Sequence, residues 1–183
     1  MARLRHVSTD ELHDVALADW HEAVAAAQAT GFTFFDWLSA VDRTYDDAAP
    51  GYGLVLRALD ISHETDGRGI RAIRLTTRVA EGAAIVSVTD VYAGAAWHER
   101  ETHEMFGVEF TGFDDGSGSG MRPLLLPEGF EGTPLRKSFV LAARASKQWP
   151  GGKEPGEGHD SAKSPSRRRV QAPGVPGPDW GPR

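Results

Sequence analysis

Up to about residue 150 the apolar positions fall into short periodic segments separated by turns. Leu12, Val15, Ala16, Trp20, Ala23, Val24 and Ala27 recur at helical spacing. Ser8-Thr9-Asp10-Glu11 ahead of them fits a capping box, and Gly31 supplies a stop, so the spacing predicts a helix over 10–30. Residues 32–41 are rich in aromatics and read as a short strand or turn running into one more helical turn. Residues 46–51 form a loop. Residues 52–61 alternate, with Tyr52, Leu54 and Leu56 on one face; 70–79 alternate with Ile73, Leu75, Thr77 and Val79 on one face. A glycine-containing turn over 65–69 joins them as an antiparallel hairpin. After a brief apolar run at 85–88, Thr89-Asp90 offers an N-cap. Val91, Ala95, His98, Thr102 and Met105/Phe106 then repeat at helical spacing as far as Gly107, which predicts a second helix over 90–106. Residues 108–110 suit a short strand, and from Thr111 onward glycine and proline set loop chemistry. The expected fold class is α+β: an antiparallel sheet with helices packed on one face, followed by an extended C-terminal loop region.

Composition divides the chain. Residues 151–183 hold seven Gly and six Pro, with Val170, Val175 and Trp180 as the only sizeable apolar side chains. Such a segment buries too little surface to offset its ordering entropy. The expected organisation is an α+β domain over 1–140 and an extended or disordered Gly/Pro-rich tail over 141–183. Formal net charge is -6. Residues 151–183 carry six basic and four acidic groups, so residues 1–150 carry -8. That balance argues against a nucleic-acid partner, which needs a basic stripe for phosphates. No cysteine is present. A disulfide, an iron–sulfur cluster or a thiolate zinc site held by this chain alone is excluded, as is a cysteine nucleophile. No apolar run approaches the roughly 20 residues that span a bilayer, and the start lacks the apolar region of a signal peptide. The expected location is cytoplasmic, with membrane contact only through partners.

The densest polar cluster is Trp97-His98-Glu99-Arg100-Glu101-Thr102-His103-Glu104. A zinc-protease helix needs two His four residues apart. His98 and His103 are five apart, about 140° around a helix, and do not converge on one metal. Arg100 and Glu104 have the spacing of an i,i+4 ion pair. Charges beside the apolar Met105-Phe106 suit a surface that other subunits cover, where ion pairs fix register. Gly116-Ser117-Gly118-Ser119-Gly120 lacks the Lys-Ser/Thr of a phosphate loop and reads as a flexible connector. No nucleophile elbow is present. In Pro134-Leu135-Arg136-Lys137, Arg136 offers a planar fork to a carboxylate.

Several of these stretches together resemble a known family. Glu99-Arg100-Glu101 followed by Met105-Phe106-Gly107-Val108-Glu109-Phe110-Thr111-Gly112 resembles the signature of the 30 kDa-type subunit of respiratory complex I, the C subunit of bacterial NADH-quinone oxidoreductase. Arg122-Pro123-Leu124-Leu125, Pro127-Glu128-Gly129-Phe130-Glu131-Gly132 and Pro134-Leu135-Arg136-Lys137 resemble its later elements, and Val86–Tyr92 and Gly31–Asp42 its earlier ones. The match runs in order over 10–140. His103 and Glu104 stand where the family usually has an aromatic residue and Asp. The run from Gly112 to Gly120 replaces its glycine–histidine–proline stretch. The family commonly carries a strand–helix–strand unit ahead of the first helix, and this chain is expected to begin after it.

The resemblance implies a non-catalytic structural subunit of the peripheral arm of a proton-translocating NADH-quinone oxidoreductase. No cofactor is expected in this chain, whereas FMN and iron–sulfur clusters sit in partner subunits and carry electrons to quinone. The implied partners are other peripheral-arm subunits, especially the cluster-bearing and quinone-site ones, on the cytoplasmic side of the cell membrane. The implied interface or signature residues are Glu99, Arg100, Glu101, Phe106, Gly107, Phe110, Gly112, Pro134, Leu135, Arg136 and Lys137. Arg100 and Arg136 are the expected members of charge-assisted pairs. The alternatives are the equivalent subunit of a membrane-bound hydrogenase or formate-oxidising complex, a free-standing ferredoxin-like interaction module, and an independent enzyme using the His/Glu cluster.

Overall fold

The computed structural model describes residues 7–62, 69–127 and 129–139, with the backbone alone described for 7–10. The sequence-predicted turn at 65–69, apart from Gly69, and the tail at 141–183 lie outside them. The described residues up to Leu126 form one compact unit, and those from Pro127 belong to a second.

In the first unit the chain order is β1 (Val7–Asp14), a 3-10 turn (Leu17–Asp19), α1 (Trp20–Ala29), β2 (Phe34–Asp42), β3 (Tyr52–Asp60), β4 (Ile70–Val79), β5 (Ala84–Val86), α2 (Ala95–Phe106) and β6 (Glu109–Thr111). The four longer strands form one sheet in the order β1-β4-β3-β2, and β5 pairs with β6 in a second, parallel one. The β3–β4 hairpin is antiparallel, as its alternation predicts, with Leu56 opposite Leu75 and Tyr52 opposite Val79. The α+β class holds, but the large sheet is mixed, because β1 runs parallel to β4.

That edge strand is the main departure from the predicted helix over 10–30. Residues 7–14 have a helix-like sequence, yet their backbone pairs with β4 from Ile70 to Thr76, and Val15 N–H continues the pairing onto Thr76 O at 2.8 Å. Glu11 bonds to Arg71 across the sheet, at 3.0 Å, instead of folding back to cap a helix. Tertiary pairing overrides a weak local pattern here. The helix therefore starts at Trp20, and a strand precedes it. Residues 34–42 form one full strand, with Leu38, Ala40 and Asp42 inward and Ser39 and Val41 outward. A bulge at Asp36 shifts its register.

One face of the sheet carries the core. Leu38, Leu54, Leu56 and Ile73 pack with Trp20 and Val24 of α1 and Ala95, Met105 and Phe106 of α2 in one buried cluster. Each of the Leu, Ile, Val, Met and Phe side chains among them contributes about 1.5–3 kcal/mol by leaving water. Trp20 and Leu38 are fully buried.

Candidate subunit interface

Helix α2 organises the polar residues of the signature. It starts at Ala95, five residues later than predicted, with Gly94 at the N-cap and no side-chain cap. Thr89 and Asp90 are drawn elsewhere: Thr89 bonds Ser87, and the Asp90 carboxylate holds His21 Nε2 at 2.9 Å. That bond to His21 lowers the Asp90 pKa. Residues 88–92 turn on Val88 O, and buried Tyr92 places its hydroxyl on Phe32 O. Burial pushes the Tyr92 phenol up to about 12. The helix ends at Gly107, whose φ of 72° is left-handed and whose N–H reaches His103 O at 2.7 Å. Glycine suits that cap because a Cβ is strained there.

Glu99 lies on the buried face of α2 and is fully buried. One carboxylate oxygen accepts from Val88 N–H at 2.8 Å, and the other from Ser87 Oγ at 2.7 Å. Desolvation pushes its pKa up to about 7, against the pull of those two bonds. It ties α2 to the end of β5 and faces the core. Phe106 and Phe110 are also buried, with Phe106 packed edge-on to Tyr52 at 6.3 Å.

Arg100 and Glu104, predicted to pair with each other, instead grip the same stretch of loop. Arg100 Nε donates to Arg122 O at 3.1 Å and its Nη2 to Pro123 O at 2.7 Å. Glu104 accepts from Leu124 N–H at 2.6 Å and Leu125 N–H at 2.8 Å. Four consecutive residues thus have a backbone group satisfied by one helix turn. The expected carboxylate partner of Arg100 is replaced by two carbonyls.

The glycine–serine run ahead of this strap is a series of tight turns. Asp114 and Asp115 accept from the N–H groups of Gly116 and Ser117, and Arg122 bonds both Asp115 and Ser117 Oγ. The Ser117 hydroxyl, then its N–H and the Arg122 guanidinium, hold the Asp115 carboxyl down at about 2. Gly112, Gly116, Gly118 and Gly120 all take positive φ.

What remains outward on α2 is a short stripe. Trp97 is 67% exposed, Glu101 is half-buried with no ion pair among the described residues, and Leu125 on the strap is 58% exposed. Trp97, Glu101 and Glu104 share one helix face, spanning about 10 Å. Composition alone does not mark Trp97 as the outward aromatic of α2. The signal was available, since Trp97 sits about 200° from Ala95 and so opposite the apolar stripe. His98 turns inward, its Nδ1 at 3.0 Å from Leu38 O on β2, and its ring meets Phe35 edge-on.

Pro134, Leu135, Arg136 and Lys137 lie in the second unit, in consecutive turns closed by Arg136 N–H on Thr133 O and Phe139 N–H on Arg136 O. Phe130 stacks on Phe139 there, with ring centroids 6.2 Å apart. Among the described residues, no group of three His, Cys, Asp or Glu side chains could hold a metal, and no helix is long and apolar enough to cross a membrane.

The signature charges Glu99, Arg100 and Glu104 thus serve the chain's own scaffold, and an aromatic and an acidic side chain of α2 stay outward. A family model described as respiratory-chain NADH dehydrogenase, 30 Kd subunit, matches residues 13–145, and the chain belongs to that family. Similar proteins include the NADH-quinone oxidoreductase C subunit of Sinorhizobium medicae, 41% identical over 44% of this chain and 38% of that protein. The corresponding protein of Methylobacterium is 34% identical over 62% of this chain and 46% of that protein. The mitochondrial NADH-ubiquinone oxidoreductase 30.4 kDa subunit of Neurospora crassa is 34% identical over 62% of this chain and 35% of that protein. The matches thus span between about a third and a half of these relatives. Among solved structures, the trypsin-resistant fragment of Nqo5 superposes with a TM-score of 0.51 and 27% identity, over 58% of this chain and 82% of that one. A chain of the archaeal membrane-bound sulfane sulfur reductase shares the fold at 20% identity and a TM-score of 0.50, over 62% of this chain and 63% of that one.

Proposed function

We propose that this chain is a non-catalytic, structural subunit of the peripheral arm of a proton-translocating NADH-quinone oxidoreductase. In this reading the complex moves electrons from NADH through FMN and iron–sulfur clusters to quinone. The chain itself holds no cofactor. Its partners are the cluster-bearing and quinone-site subunits, and it sits on the cytoplasmic side of the membrane.

The observation that carries the reading is the use made of the signature. Glu99, Arg100 and Glu104 are committed to backbone and hydroxyl groups of the same chain. They shape a surface and do not converge on a reacting atom. The stripe Trp97, Glu101 and Leu125 fits a docking face, with large apolar anchors flanking an acidic group that can accept a partner's cation.

The test is purification of the tagged full chain from solubilised membranes of cells that express it. The expected result is co-purification with NADH-oxidising polypeptides that carry FMN and iron. Recovery of the chain alone, or with partners that hold neither, contradicts the reading.

A further inference from the structure

The outward side of α2 is not uniform. Trp97 is 67% exposed, more than any other large apolar side chain among the described residues. Long helical side chains lean back over the turn N-terminal to them, toward the positions three and four residues earlier. For Trp97 those positions are Gly94 and Ala93, both small and both exposed, so no large side chain of the preceding turn covers the indole. For Glu101 the position four residues earlier is Trp97 itself. Its carboxylate is thereby directed toward the indole, from a Cβ roughly 5–6 Å away.

The charge around these two residues is one-sided. Glu101 is half-buried, and among the described residues it has neither a hydrogen bond nor an ion pair. Each basic group of α2 and of the strap already has a partner within the chain. Arg100 is 6% exposed, and its donors go to the Arg122 and Pro123 carbonyls. Arg122 holds Asp115 and Ser117 Oγ. His98 and His103 sit on Leu38 O and Val108 O. Glu104 is a second carboxylate on the same helix face, and its partners, the Leu124 and Leu125 N–H groups, bring it no positive charge. A half-buried carboxylate thus lies beside an open aromatic face with no counter-ion. A partly desolvated carboxylate is costly until a cation reaches it.

We infer that Trp97 and Glu101 together receive an arginine side chain of a neighbouring polypeptide, with its guanidinium flat on the indole and its edge on the carboxylate. This assignment rests on the proposed role as a subunit and identifies the side chain that α2 takes up. A guanidinium is planar, stacks on aromatic faces and presents N–H groups along its edge. A lysine ammonium is a compact, strongly hydrated point charge and cannot stack in that way. Exposed Leu125, whose N–H is held by Glu104, adds apolar surface at the same site.

Titration of the free full chain against the complex purified without it reads this contact. Glu101→Gln keeps the shape of the side chain and removes its charge, and should weaken binding about tenfold. Trp97→Leu keeps apolar bulk and removes the aromatic face, and should weaken it about threefold or more. A photoreactive residue in place of Ala93, exposed in the turn ahead of α2, marks the partner peptide in the assembled complex. That peptide should contain an arginine whose replacement by glutamine weakens binding about tenfold, and replacement by lysine should recover little of the loss. Combined with Glu101→Gln, the partner's glutamine variant should weaken binding no more than either change alone, because one contact is lost. An adduct peptide without arginine, an adduct with a second copy of this chain, full recovery by lysine, or a Glu101→Gln chain that binds like the parent overturns this contact and leaves the subunit role in place. If no adduct forms, the titrations with Glu101→Gln and Trp97→Leu decide. If Glu101→Gln fails to fold, the partner's arginine variants decide. A parent chain that neither binds the complex nor co-purifies with a partner overturns the subunit role as well.

Discussion

Glu99 contributes a pH response to the fold. Its carboxyl has an ordinary pKa of 4.5 and is raised to about 7 in the folded chain, by burial above all. The folded state thus holds this proton more tightly than the unfolded chain does. Its contribution to stability is fully present below about pH 4.5 and is lost as pH rises to about 7. Keeping Glu99 ionised above that range costs on the order of 3 kcal/mol. Glu99→Gln keeps an acceptor for Val88 N–H and a partner for Ser87 Oγ. It should flatten the stability profile between pH 5 and 8 and raise stability at pH 8 by ~1–3 kcal/mol. Urea unfolding at the two pH values checks both statements; an unchanged slope shows that Glu99 is not the titrating group. At Gly107 the backbone decides. Gly107→Ala places a Cβ at a φ of 72° and should cost about 1–2 kcal/mol by the same measurement, whereas exposed Gly112, also at positive φ, tests whether the cap itself matters.

The strap over 122–125 and helix α2 form one structural element. Arg100→Ala leaves two loop carbonyls without their donor, and Glu104→Ala leaves two N–H groups without their acceptor. Either change should cost about 2–4 kcal/mol and speed hydrogen exchange at 122–126, with little effect in the β3–β4 hairpin. Equal acceleration in the hairpin would mean that the strap is part of the global folding unit. Elements with strong periodicity were legible in the sequence, notably that hairpin and the body of α2. The first strand was not. Residues 7–14 carry a capping pattern and helical spacing, and only the parallel partner about 60 residues away makes them a strand. The site was legible in part. Glu99, Arg100 and Glu101 stood out by charge, but the partners of Glu99 and Arg100 are mostly backbone groups, and backbone leaves no signature in composition. Glu99 and Trp97 could each be placed by the helical wheel, Glu99 on the buried stripe and Trp97 opposite it. The local run of charges hid that difference.

At the scale of the whole molecule, the proposed function is that of a structural subunit. Trp97 is the expected anchor at α2, and Trp97→Ala should weaken association with its neighbour by ~2–3 kcal/mol, equivalent to about 30–150-fold, without changing the thermal midpoint of the free chain. Titration of the free chain against a complex lacking it gives that number. Unchanged affinity would move the interface away from α2. Family membership and the internal use of the signature charges both support the proposed structural role of these residues. The decisive experiment replaces the chain by Arg100→Ala in cells and records two quantities, the amount of assembled complex and the NADH-to-quinone turnover per assembled complex. Less complex with unchanged turnover is the expected outcome. Full assembly with lost turnover would refute the structural role.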